Sequence, residues 1–251
     1  MTFKSITILG GVDKDGKDEN IRALTIERGE IYSVIGFTGS GKSRLIRDIE
    51  QLADRDTVTK RQILIDGKTP DYSMRRDPSK KIVAHLTQNM NYIMDLQCGD
   101  FLRLRAECRK MTDAKKNAEQ ILETANKLCG EPIADYAQLT SLSGGQSRAL
   151  MIADTAINTN APIILIDEIE NAGIDKKAAM DTLLGSDKII IVVTHDPMLA
   201  LSGKKRIIMR NGGMDGLLTL TEKEKEVFSK LQTLSEYSLE VQRNLRLGKT
   251  L

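Results

Sequence analysis

The sequence predicts an α/β fold with a mostly parallel central sheet, an antiparallel β region near the N-terminus and an inserted helical subdomain. Three observations predict it. β-Branched runs alternate with helical spacing in the first and last parts of the chain. The run Ile31 to Phe37 leads straight into a glycine-rich loop and then a helix-forming stretch. From about Asn89 to Gln138 the periodicity is helical only.

In chain order, Ser5 to Leu9, Ile21 to Ile26 and Ile31 to Phe37 read as strands. Gly10-Gly11 and the polar run Asp13 to Asn20 separate the first two, and Arg28-Gly29 the next. A helix follows from about Lys42 to Ala53. Gln62 to Ile65 and Ile82 to Leu86 are further strands, and the loop between them, with Arg75-Arg76 and Lys80-Lys81, reads as solvated surface. In the helical segment Phe101, Leu104, Cys108 and Met111 form one apolar stripe, and Ala118, Ile121, Leu122, Ala125 and Leu128 a second.

Ser143 caps a helix running to about Ile157. Strand and helix then alternate: Pro162 to Ile166, Lys176 to Leu184, Ile189 to Val193, Pro197 to Leu201 and Arg206 to Met209, closing at Asn211-Gly212-Gly213. The tail, about Thr221 to Leu247, is one long helix. Its heptad-like stripe, Val227, Leu231, Leu234, Ser238, Val241 and Leu245, predicts packing against the body of the chain. The expected organisation is a core of residues 1–88 and 141–220, a helical insertion over 89–140 and a helical tail over 221–251.

Composition excludes several classes. Forty per cent apolar and 29% charged residues are ordinary for a globular chain, and a formal charge of +2 gives no bulk attraction for nucleic acid, which is not expected as a partner. No apolar run approaches the roughly 20 residues that span a bilayer. Met1 to Ser5 carries no secretory pattern, and Cys98, Cys108 and Cys129 fit neither a disulfide framework nor a zinc site. A cytoplasmic protein with reduced thiols is the expectation.

The chemistry is concentrated in a few places. Gly36-Phe37-Thr38-Gly39-Ser40-Gly41-Lys42-Ser43 fits G-x-x-x-x-G-K-[ST], the phosphate-binding loop of P-loop NTPases, between a strand and a helix. Absent side chains let backbone N–H groups reach phosphates, and the helix adds its N-terminal dipole. Lys42 supplies a point charge near the β- and γ-phosphates, and the Ser43 hydroxyl is placed to ligate Mg²⁺. Ile163 to Ile166 is an apolar strand ending in Asp167-Glu168; at a carboxyl sheet edge Asp167 would hold the magnesium and Glu168 would act as general base on the attacking water. His195 follows a strand to the same edge. Gln88 ends another and would reach the magnesium or the reactive water, whereas His85 lies within a strand and is structural.

With Leu142-Ser143-Gly144-Gly145-Gln146 between the helical segment and the acidic strand, the chain resembles the ATP-binding cassette (ABC) ATPases over about residues 1–215. The resemblance rests on the glycine loop, Gln88, this pentapeptide, Ile164 to Glu168 and His195, in the family's order. It implies ATP and Mg²⁺ as cofactors and a head-to-tail dimer with a second ABC subunit, identical or not. Each ATP would lie between the glycine loop of one subunit and the Leu142–Gln146 segment of the other, with Ser143 and Gly145 on the γ-phosphate in trans and His195 in cis. Gln88 would link the site to the helical subdomain and to a docked partner.

Two departures stand out. The family's base-stacking aromatic is missing from Gly11-Val12-Asp13-Lys14, which leaves Val12 as an apolar contact and the choice of ATP over GTP open. The family usually has Pro after the glutamate and Asp six positions after it; this chain has Ile169 and places Asp175 one position later, as the residue expected to communicate across the dimer. The family prior points to the ATP-hydrolysing subunit of a transporter, peripheral on the inner face of the membrane, and the apolar residues of Met90 to Leu102 would either dock its permease subunits or cap the helical subdomain. The alternative is a soluble ABC ATPase in an assembly role, such as iron-sulfur cluster assembly.

Overall fold

The computed structural model describes residues 3–77, 80–87, 91–167, 174–185 and 187–250. By internal contacts the chain divides into two compact units, one of Met1–Thr87, Asn160–Ile169 and Asp187–Ser229, the other of Gln88–Thr159, Glu170–Ser186 and Lys230–Leu251.

The first unit holds every strand among the described residues. β1 (Ser5–Leu9), β2 (Ala23–Glu27) and β4 (Gln62–Ile65) form an antiparallel sheet in the order β2-β1-β4. Here one face is apolar and one wet, and the alternation is visible in β2, where only Leu24 and Ile26 are buried. The main sheet runs β5 (Val83–Leu86), β6 (Ile163–Asp167), β7 (Ile189–Val193), β3 (Ile31–Ile35), β8 (Lys205–Arg210), β9 (Gly213–Thr219). All neighbours are parallel except β8 and β9. Its central strands are near-continuous Ile and Val, as a sheet covered on both faces requires, and β7 is buried at every position.

Helix α1 (Lys42–Glu50) lies between the sheets: its Leu45, Ile46 and Ile49 share a core with Ile6, Ile8, Ile63, Val34 and Leu165. The opposite face of β3 meets α7 (Pro197–Ser202), where Ser33 Oγ donates to the Leu199 carbonyl at 3.1 Å. The loop expected between β4 and β5 contains a short helix, α2 (Tyr72–Arg76), started by an Asp71 cap.

The second unit is helical: α3 (Cys98–Cys108), α4 (Ala114–Leu128), α5 (Gly144–Asn158) and α6 (Lys176–Leu184), with α4 packed on α3, α5 and α6. The stripe predicted for α4 is the buried one. That of α3 is not. Leu104, Cys108 and Met111 are exposed, and the covered face is Cys98, Phe101, Leu102 and Ala106. The correct face steps by four from Cys98, a pattern partly hidden by the polar residues between. The helical unit is also broader than the 89–140 insertion, because α5 and α6 pack with α4 and with each other.

Helix α8 (Glu222–Arg246) closes the chain. Its predicted seam is corrected in part by the structure: Val227, Leu234, Ser238 and Leu245 are exposed, whereas Leu231 and Val241 are half-buried. The half-buried side runs instead through Phe228, Leu231, Ser235 and Leu239. Strand β9 extends the sheet beyond the last predicted strand; Gly213 and Gly216 and the adjacent Leu217-Leu218 give no clean alternation in the sequence. α1 stops before Ala53 because Leu52 takes a positive φ of 49°.

Candidate functional site

Register brings the chemical residues of the first unit to one sheet edge. Val193 of β7 pairs with Asp167 on one side and Val34 on the other. The chain leaves β3 two residues later at Gly36, leaves β7 through Thr194 to His195, and ends β6 at Asp167 itself. The glycine loop, the acidic residue and the histidine thus emerge side by side at the carboxyl ends of three adjacent parallel strands, where ligands bind in open α/β sheets. His195 is exposed and Asp167 half-buried. Gln88 and Glu168 lie outside the described residues; they follow Thr87 and Asp167 in the chain.

Within the loop, Phe37, Thr38 and Gly39 are exposed and Ser40 is buried. Lys42 is buried, and its ammonium donates to the carbonyls of Gly36 (2.8 Å) and Phe37 (3.2 Å), folding back over the loop it would share with a phosphate. Ser43 is exposed in the first turn of α1. Two glycines are obligatory. A Cβ on Gly36 would stand 2.5 Å from both the Met209 carbonyl oxygen and Ser40 Oγ, and Gly41 caps α1 at φ 103° with the Gly212 backbone 2.7 Å from where its Cβ would be.

The loop is braced from behind by residues that belong to no sequence motif. The Arg61 side chain is fully buried. It pairs with Glu19, with Asp48 of α1 (2.8 Å) and with the Gly212 carbonyl (2.8 Å). Gly212 N–H in turn donates to the Ser40 carbonyl at 2.8 Å, and Glu19 also accepts from the backbones of Gly11 (3.0 Å) and Met214 (2.8 Å). Lys14 Nζ donates to the Gly39 carbonyl at 2.7 Å. No periodicity or motif marks Arg61; its signal is tertiary. Beside the loop, Val12, Asp13, Lys14, Arg44 and Val58 line a cleft of about 320 Å³ with no aromatic among its described residues.

The other motif lies in the helical unit. Ser143 is the N-cap of α5 in a capping box: Gln146 N–H donates to Ser143 Oγ (3.3 Å), and Ser143 N–H donates to Gln146 Oε1 (3.0 Å). Gln146 Nε2 also donates to the Pro132 carbonyl at 3.2 Å. A Cβ on Gly144 would meet nothing within 4 Å, so the fold of the chain itself does not require glycine there. Asp175 caps α6, accepting from Ala178 N–H at 3.0 Å. His85, as expected of a structural histidine, is tied down: its Nδ1 lies 3.1 Å from Glu50.

Residues 20–171 match the ABC transporter family. The chain is 49% identical over 251 residues to the ABC transporter ATP-binding protein MJ0121 of Methanocaldococcus jannaschii, covering all of this chain and 96% of that one. It is 28% identical to the methionine import ATP-binding protein MetN of Corynebacterium efficiens, over 76% of this chain and 54% of the longer relative. Among solved structures it resembles the ATP-binding cassette MJ0796, a dimer in a post-hydrolysis state bound to ADP and Pi, with 26% identity, a TM-score of 0.61 and coverage of 86% of this chain and 99% of that one. The chain therefore belongs to the ABC transporter family.

Proposed function

We propose that this chain is the ATP-hydrolysing subunit of a transporter, working as a head-to-tail pair whose two nucleotide sites are each shared between subunits. One observation carries the shared site. Ser143-Gly144-Gly145-Gln146 form a capped helix start, and at the exposed Gly144 glycine serves no need of the chain's own packing. Glycine destabilises a helix relative to alanine, so its presence there fits the close approach of something from outside the chain. The relative bound to ADP and Pi is a dimer, which supports a paired assembly.

In this reading the glycine loop holds the phosphates through its N–H groups and Lys42, which exchanges the carbonyls of Gly36 and Phe37 for phosphate oxygens. Ser43 and Asp167 offer hard oxygen donors at one sheet edge, a set suited to Mg²⁺, which would neutralise phosphate charge and orient the β- and γ-oxygens. Glu168 polarises the attacking water as general base, and Gln88 positions that water and the metal's solvent shell. His195 contacts the γ-phosphate from the same subunit. Ser143 and Gly145 reach it from the partner, and Asp175 lies in the segment that passes between the subunits. Ile93 and Met94 are exposed and offer an apolar contact for a permease at the membrane's inner face, while Tyr92 is instead packed edge-on to Phe101 at 5.2 Å.

The test is the variant Ser143→Arg. It is expected to bind ATP as a monomer with near-normal affinity and to fail to dimerise or turn over, measured by sedimentation with ATP and by phosphate release. A Ser143→Arg protein that dimerises and hydrolyses like the parent excludes the shared site.

A further inference from the structure

We propose that Arg246, near the end of α8, is an additional phosphate-directed residue of the shared site, delivered beside Ser143 and Gly145 to the nucleotide held by the partner's glycine loop. This rests on the shared-site reading above. The long C-terminal helix would then be a working part of the cassette rather than an appendage to it.

Four observations converge. Arg246 lines, with Ser143, Gly145 and Gln146, a cleft of about 240 Å³. The same arginine borders a larger groove of about 910 Å³ whose wall includes Asp175, so it stands next to both segments of this unit that are proposed to face the partner. The segment Leu142–Gln146 has no charge of its own. Among the described residues lining the smaller cleft, Arg246 is the cation and Glu131 the anion.

The present partner of Arg246 is a weak one. Nη1 lies 3.7 Å from Glu131 Oε1, with the two side chains 57% and 58% exposed. Such a pair contributes little in water, and a phosphate with more charge and more acceptor oxygens competes for the guanidinium fork. Close approach is permitted by Gly130, where a Cβ would come within 3.2 Å of Arg246 Nη1. The helix that carries Arg246 also touches α6, through the 2.9 Å surface ion pair of Lys177 with Glu236. The turn it touches is joined to the cap of α5 by the bond from Gln146 to Pro132.

The experiment measures dimerisation by sedimentation with a non-hydrolysable ATP analogue, and ADP binding to the monomer by calorimetry, for Arg246→Ala, Arg246→Lys, Glu131→Gln and Ser143→Arg. Arg246→Ala is expected to weaken the analogue-induced dimer about tenfold, the loss of one charge-assisted hydrogen bond. Arg246→Lys should recover part of this, and Glu131→Gln should leave the dimer as tight or tighter. ADP binding to the monomer should be unchanged in Arg246→Ala. Weakening of equal size in Glu131→Gln would assign Arg246 to the ion pair alone and overturn the proposal. So would a parental dimer in Arg246→Ala while Ser143→Arg blocks dimerisation, an outcome that leaves the shared site intact. A parental dimer in Ser143→Arg removes the shared site and this role together.

Discussion

Arg61 and Lys42 show how differently two buried cations are used in one site. Lys42 rests on two loop carbonyls, neutral acceptors that a phosphate would replace in the proposed reading. Arg61 is saturated by two carboxylates and a carbonyl, with none of its surface exposed, and has nothing left to offer a ligand. Its work is mechanical. It joins α1, the β4 sheet and the Gly212 turn behind the glycine loop. Removing it strands Glu19 and Asp48 as buried, uncompensated charges, so Arg61→Met should cost about 3–5 kcal/mol in unfolding free energy by urea titration. A loss under about 1 kcal/mol would mean that the carboxylates accept protons or water at little cost.

At the scale of elements, the decisive features are ends rather than middles. α1 begins where a left-handed glycine turns the chain out of the loop, and α5 begins at a reciprocal cap. The Ser143 hydroxyl and the Gln146 amide satisfy N–H groups that the first turn of a helix leaves free. Ser143→Ala should therefore destabilise the protein by about 1 kcal/mol, read as a shift of the denaturant midpoint at constant slope. An unchanged midpoint would show that water caps the helix equally well. The same variant keeps a small side chain, so its effect on stability can be separated from the steric block expected of Ser143→Arg. Helix α8 has no single covered face that its spacing defines. Its apolar residues are spread around it, so more than one stripe fits the spacing, and which side is covered follows from its neighbours.

At the scale of the molecule, the proposed assembly makes activity a property of pairs. Specific ATPase activity should fall on dilution, tending toward proportionality with protein concentration once the dimer dissociates, and Glu168→Gln should accumulate an ATP-bound dimer on gel filtration. Specific activity that stays constant over a thousandfold dilution, together with a monomeric Glu168→Gln protein, would place the whole reaction within one chain. Much of this was legible in the residues. The glycine loop, the Leu142–Gln146 segment and the acidic strand are contiguous patterns, and each is written in a few adjacent side chains whose backbone chemistry is local.

By itself, then, the sequence determined the alternation of strand and helix, the phosphate-binding loop, the capped helix and their order, which is enough to identify the family. Only the tertiary structure decided that Val34, Val193 and Asp167 align across three strands, that Arg61 braces the loop, that α3 buries Cys98 and Leu102 rather than Leu104, and that Arg246 borders the Ser143 cleft. The physical reason is range. Propensity, capping and glycine geometry act over a few bonds and leave a mark in the local sequence, whereas register, burial of a charge and the choice of a helix face are settled by which distant segments can fill the same space.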